Sequence, residues 1–332
     1  MKKILVITLF SICLFAFRKI TDKKPEQTEI HDAIQRGLFI SQKSSHEFIE
    51  NAGCFSCHGQ CLGAIAFTMG KEKGFVVYDS ILSEALQLIQ TTNTDLSSYF
   101  TEHIELQGAN VTYTYALWAL SSSHIPSSKS TAMIVHQLLD RQNKDGYWAG
   151  GNGRAPLEYY AYSATALAIS ALNNYTMPGF KNRTEIAKKR AKTWLINTPA
   201  INNEEKIFQL LGLKWVNADP GFIKKQAKIL LSHQHADGGW SQLDSLTTDA
   251  YATGQSLYAL NQVGELDVND KAYQRGIAFL LNTQHEDGSW RVKSRTVPAI
   301  PYVSSGFPYG DDQFISAAGT NWATMALLLS IK

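Results

Sequence analysis

Three segments of this 332-residue chain are near copies of one another: QNKDGYW at 142–148, QHADGGW at 234–240 and QHEDGSW at 284–290. Each reads Gln-x-x-Asp-Gly-x-Trp. Each follows an apolar stretch carrying a leucine pair: Leu138-Leu139, Leu230-Leu231 and Leu280-Leu281. A recurring pattern of this kind marks a repeat architecture, in which one unit buries its apolar face only by stacking on the next. The Asp-Gly pair asks for a tight turn with glycine at positive φ. The glutamine amide suits orphan backbone groups at a neighbouring helix end. The tryptophan offers a large flat surface to the following unit. These turns are expected to staple repeats together, not to carry chemistry.

Outward from the turns, apolar residues recur with a helical period along almost the whole chain, and no long stretch alternates as a strand does. The pattern predicts twelve helices, near 28–49, 58–72, 79–91, 110–123, 129–142, 159–174, 184–197, 204–217, 220–233, 249–263, 269–283 and 315–331. They pair into six hairpins. First helices are rich in Lys and Arg, as in KNRTEIAKKRAKTW at 181–194. Second helices are rich in small residues, as in Ser163-Ala164-Thr165-Ala166 and Ala318-Gly319-Thr320. Small residues let helix axes approach closely, as an inner ring requires. A degenerate fourth copy keeps Trp194-Leu195 in the leucine-pair place, but Thr198 stands where the glutamine should be. The fold class is therefore all-α: an α/α toroid of about six helical hairpins, with inner and outer rings.

The three turns resemble the QW repeats of squalene-hopene cyclases and the related protein prenyltransferases. TTDAYATGQSLYAL at 247–260 and FPYGDDQFISAAGTNWATMAL at 307–327 are similar to inner-helix segments of that superfamily. The resemblance covers roughly 110–332 and implies six inner and six outer helices around a central cavity. The activities of these relatives do not carry over residue by residue. The cyclases use an Asp-x-Asp-Asp acid motif, which is missing here; Asp311-Asp312 and the pair Asp244 and Asp249 are the nearest text. The prenyltransferases hold zinc with an Asp, a Cys and a His, and this chain has no Cys after Cys61. Whether the chain is an enzyme is thus left open.

Three acids stand at comparable places. Glu158, Asp249 and Asp312 each precede a small-residue helix, so in a toroid they would share one mouth. They are the candidate catalytic residues, as acids or as anchors for a polar ligand group. The same positions suit plain helix N-caps. Tyr159, Tyr160, Tyr162, Tyr251, Phe307, Tyr309 and Trp322 would line an apolar pocket near that mouth or fill inter-helix core.

The second signal is Cys54-Phe55-Ser56-Cys57-His58. Cys-x-x-Cys-His is the attachment pattern for c-type haem: two thiols bond the porphyrin and the histidine ligates iron. Cys54, Cys57 and His58 are the candidate cofactor-binding residues, with His58 the metal ligand. A disulfide (Cys54–Cys57 or Cys57–Cys61) and a zinc site built from Cys54, Cys57, Cys61 and His58 are the competing readings. Met69 is no distal ligand: it lies 11 residues from His58 on one helix, roughly 16 Å along the axis. His31, His46, His103 and Met133 remain candidates, and the haem would dock on the toroid itself.

Lys2, Lys3 and the apolar run Ile4–Phe17 read as a signal peptide over 1–17, followed by a linker at 18–27 and one toroid domain over 28–332. The expected location is exported, periplasmic or at the cell envelope, where haem attachment and disulfides occur. An uncleaved segment would tether the chain to a membrane. A net charge of +2 argues against nucleic acid as a partner. The leading expectation is an exported toroid with one haem c, passing electrons to a redox partner protein or oxidising an apolar small molecule. A non-catalytic toroid binding a terpenoid, lipid or glycan is the alternative, its Cys cluster a disulfide or zinc staple. A small-isoprenoid cyclase ranks third.

Overall fold

The computed structural model describes residues 24–52, 56–101, 109–151, 153–296 and 302–331. The expected leader, Cys54, the side chain of Cys57 and His103 lie outside the described residues. Twelve α-helices run through them: α1 (Gln27–Ala52), α2 (Leu62–Glu72), α3 (Asp79–Thr101), α4 (Ala109–Ser122), α5 (Lys129–Arg141), α6 (Ala161–Tyr175), α7 (Lys181–Asn197), α8 (Asn203–Trp215), α9 (Pro220–Ser232), α10 (Ala250–Gln262), α11 (Lys271–Thr283) and α12 (Gln313–Leu329). Two ends depart from expectation. α2 is preceded by a π-helical turn, Cys57–Cys61, and α3 continues past the expected end at 91 to Thr101 through Thr-, Asn- and Ser-rich sequence.

The even-numbered helices form the inner ring. Each touches the even helices beside it, and α12 touches α2, so the circle closes. The odd-numbered helices pack outside, with α1 against α11 and α12. Composition explains the sorting. In α10 every residue from Ala250 to Leu260 is buried, whereas α7 buries only Thr184, Ala187, Ala191 and Leu195, one stripe at helical spacing. Close inner packing needs missing side chains: a Cβ on Gly254 would lie 2.6 Å from the Ala323 nitrogen of α12.

The repeated turns do staple the rings, with two roles exchanged relative to expectation. Gln142 Nε2 donates to the Gly146 carbonyl of its own turn and to Ala187 in the body of α7, both at 2.8 Å. Gln234 does the same with Gly238 and with Ala272 of α11. Gln284 does so with Gly288 and with Ala33 of α1. The glutamine thus grips the flank of the next outer helix, not its orphan end. Tryptophan takes carbonyls at the helix ends, two of which, Leu230 and Leu280, a following backbone N–H also reaches. Trp148, Trp240 and Trp290 Nε1–H donate to Leu138, Leu230 and Leu280 at 2.6, 2.9 and 2.8 Å, each in the last turn of its outer helix. Their backbone N–H groups donate to Thr165, Thr253 and Thr320 of the inner helix that follows. In the degenerate copy, Gln209 of α8 supplies the missing amide, donating to Leu195 and Thr198.

The turn glycines Gly146, Gly238 and Gly288 have φ of +102°, +88° and +89°. A Cβ on Gly238 would also strike the Arg275 carbonyl oxygen. Gly238→Ala is expected to cost roughly 2–5 kcal/mol, adding the left-handed penalty to a backbone clash. Gly264→Ala, at φ +80° with nothing within 4 Å of the new methyl, should lose only about 1–2 kcal/mol. Urea titration of both variants separates the clash from the dihedral; equal losses would remove the stapling contact from the explanation.

Aromatic rings fill the middle of the circle. Trp118 of α4 lies 6.3 Å from Tyr258 of α10, the helix opposite it in the inner ring. Trp322 of α12 lies 5.7 Å from Trp118 and 5.3 Å from Tyr258, and Phe208 of α8 closes the group at 6.5 Å from Trp322. Trp322 is therefore central core, the second of the two places expected for it. Among the described residues no helix is long and apolar enough to cross a membrane.

Candidate functional site

The inner helices begin at one mouth of the toroid, and the polar chemistry collects there. Glycine and serine shape the Cys-His segment locally: Ser56 Oγ accepts from Gly59 N–H at 3.0 Å, and the Gln60 side chain accepts from Ser56 N–H at 2.6 Å. The Gln60 amide also donates to Ser45 of α1 at 3.1 Å. This clasp drives His58 inward, where it is 3% exposed. Its ring packs 4.5 Å from that of Tyr115 and hydrogen-bonds the Leu157 backbone, with Glu158 and Arg154 nearby. Burial pushes the imidazole pKa down to about 4 against the pull of Glu158 and the Leu157 contact, so the ring is neutral at physiological pH.

Cys61 is a free thiol, fully buried, and burial raises its pKa far above the usual range. Cys61 forms no disulfide among the described residues. Among the described residues no group of three His, Cys, Asp or Glu side chains is placed to hold a metal. Of the distal-ligand candidates, His31 stacks on Phe75, and His46 pairs with Glu84 at 2.8 Å. Both sit on outer helix α1, and Met133 sits on outer helix α5.

The three acids are brought to the mouth but into different company. Glu158 lies beside His58 and 3.7 Å from Arg154. Asp249 caps α10, accepting from Ala252 N–H at 2.8 Å and from the Gln242 amide at 2.8 Å. Burial nonetheless lifts its pKa to about 6. Asp312 is tied to Arg291 at 3.0 Å and to Ser294 N–H at 2.8 Å. All three carboxylates are thus engaged, Asp249 as a cap, Asp312 and Glu158 with arginines.

A fourth acid, missed in the sequence, is the most perturbed. Glu204, second residue of α8, is 3% exposed. It accepts from Tyr251 O–H at 3.0 Å, and burial raises its pKa to about 8. Gln255 and Arg295 face it, and Arg295 Nε donates to Gln242, which holds Asp249. The signal was present: Glu204, Phe208, Leu211 and Trp215 follow a helical stripe, which places an acid in line with apolar residues. Arg295 and Gln242 thus link the surroundings of a carboxyl that keeps its proton near neutrality to a second carboxyl, Asp249. Over the same mouth lies a small open cavity of about 50 Å³, lined by Arg154, Leu157, Thr296, Tyr302, Asp311 and Phe314 among others.

Residues 204–309 match the family model described as the squalene-hopene cyclase C-terminal domain. Over 104 residues the chain is 32% identical to a squalene–hopene cyclase of Bradyrhizobium diazoefficiens, a stretch covering 28% of this chain and 16% of that protein. Among solved structures, a type II terpene cyclase from Scytonema in complex with geranylgeranyl dihydroxybenzoate gives a TM-score of 0.52 at 12% identity, covering 89% of this chain and 99% of that one. An unsaturated glucuronyl hydrolase mutant from Streptococcus agalactiae gives 0.55 at 12% identity, covering 93% and 92%. The chain is a cyclase-like α/α toroid, and toroids of this kind serve unrelated reactions.

Proposed function

We propose that this toroid is an exported electron carrier with one c-type haem at its mouth, bonded through Cys54 and Cys57 and ligated by His58. The observation that carries this reading is the state of His58. A buried, neutral imidazole oriented by a backbone carbonyl is the form in which histidine ligates a metal. Tyr115 shares the ring's surroundings, and the open cavity bordered by Leu157 lies on the loop that holds His58. Leu157, Val303, Phe314 and Ile315 border this small opening, with Arg154 beside them; apolar groups suit one face of a porphyrin lying against the mouth, and a cation suits a propionate. When bound, the haem supplies a one-electron couple; the protein fixes the ligand nitrogen, keeps it unprotonated and limits water. Electron transfer to a partner protein is favoured over oxidation of an apolar ligand because Trp118, Tyr258, Trp322 and Phe208 occupy the middle of the ring.

Expressed with its own leader and a haem c maturation system, the protein is expected to gain the mass of one haem and to show a Soret band that survives denaturation. Cys57→Ala together with Cys54→Ala should abolish covalent attachment. A colourless protein of unmodified mass, made in cells that load a control cytochrome c, would sink the proposal.

A further inference from the structure

The chain is nearly balanced, with 31 Lys and Arg against 29 Asp and Glu, but the charge is not evenly spread. From Lys181 to Ser232, spanning α7 to α9, eleven basic residues face four acidic ones; the remainder has twenty against twenty-five. One sector of the outer wall therefore carries +7 and the rest of the chain −5. One of the four acids, Glu204, is buried and offsets nothing at the surface. Arg183 and Lys188 are paired, with Asp140 and Glu185. The ammonium groups of Lys181, Lys189, Lys214, Lys224, Lys225 and Lys228 make no ion pair among the described residues.

Aliphatic side chains are interleaved with these lysines. Ile186 and Ile196 of α7 are 53% and 38% exposed, Ile229 of α9 is 38% exposed, and Ile201 beyond α7 is 78% exposed. Ile186, Lys189, Arg190, Thr193 and Ile196 fall at helical spacing on the outward face of α7. Lys225, Lys228 and Ile229 do the same on α9. Lysines alone would mark a solvated wall. Isoleucines standing out among unpaired lysines fit an interface that is apolar at the depth of the acyl boundary and anionic at the level of the headgroups.

We infer that the α7–α9 sector is a docking surface for an anionic lipid bilayer. The isoleucines enter the headgroup boundary and the lysines meet lipid phosphates, so attraction requires negative lipid and weakens with salt. This inference does not depend on the haem reading.

The test uses the full chain and sedimentation with phosphatidylcholine vesicles, with and without phosphatidylglycerol. Binding should require phosphatidylglycerol. Replacing Lys189, Lys224, Lys225 and Lys228 together by Gln should weaken it about tenfold or more. Ile186→Ser with Ile196→Ser should weaken it as well, while circular dichroism stays unchanged in both variants. The N-terminal apolar run is present in every protein compared. Equal binding to neutral vesicles, insensitive to both sets of changes, would assign the attachment to that run and overturn the inference. So would no binding at all. Loss with the lysine changes but not with the isoleucine changes would mean that the chain is adsorbed by charge alone, with no side chain entering the headgroup boundary, and likewise overturn it.

Discussion

Trp240→Ala is expected to destabilise the toroid by about 3–5 kcal/mol, the range for emptying a buried aromatic site. The side chain is fully buried, and its indole N–H holds the Leu230 carbonyl while its backbone N–H is held by Thr253. The loss therefore unpins the end of α9 from the start of α10. Trp240→Phe keeps most of the apolar surface and gives up the indole hydrogen bond. His233 N–H also reaches the Leu230 carbonyl at 3.2 Å, so the phenylalanine variant should lose only about 1 kcal/mol of hydrogen bonding. Denaturant unfolding of the three proteins measures the difference. Equal losses in Ala and Phe would mean that the hydrogen bond, not the packed ring, fastens the turn.

Glu204→Gln is expected to change the shape of the stability–pH curve. The folded pKa of Glu204, about 8, lies above its ordinary value of 4.5. Its contribution is complete below about pH 4.5 and is lost as pH rises through 8, since only the unfolded chain readily gives up the proton. At about 1.4 kcal/mol per pH unit, some 3 kcal/mol disappears between pH 4.5 and 7. His58 works in the opposite sense. Its folded pKa of about 4 lies below the ordinary 6.5, so its contribution is complete above pH 6.5 and is lost as pH falls through 4. On these two groups, the wild type should be nearly level from pH 4.5 to 6.5 and weaken above that. Glutamine can still accept from Tyr251 and never ionises. The variant should be level above pH 6.5, weaken below it, and exceed the wild type at pH 8. Thermal unfolding across this range checks the crossing; parallel curves would mean that Glu204 is ionised in the folded protein.

The ring was legible because its determinants are local. The Asp-Gly turns, the leucine pairs and the sorting of lysine from small residues each depend on a few neighbouring positions, and every expected helix is found. Where helices end was less legible. The stretch after position 91 is Thr-, Asn- and Ser-rich, which masks the helical spacing of Leu96, Tyr99 and Phe100. The meeting of Glu158 with His58 joins residues 100 apart, and no spacing rule predicts it. The resemblance implied a central cavity, and aromatic rings stand in its place: Trp118 and Tyr258 come together only because the ring is narrow, and ring width is a property of all six inner helices together. Glu204 was readable but overlooked, because an acid near a helix start is ordinarily a cap, and here Asn202 already fills that place.

The grip of Gln284 on Ala33 joins positions 251 apart, and it bears on how the chain comes to be assembled. An open array of hairpins can grow from any point and needs special end units to shield its exposed faces. A closed circle has no ends to shield, but its first helix has no final neighbour until the last hairpin is made. Through most of synthesis the side of α1 that carries Ala33 and Gly37, which meet Gln284, Trp290 and Thr324, waits uncovered. Joining distant segments adds little entropy cost beyond a certain length, yet it slows the search for the native arrangement. The twelve helices should therefore reach their final order late and together, with the unfinished chain dependent on being kept from its own kind until α11 and α12 arrive.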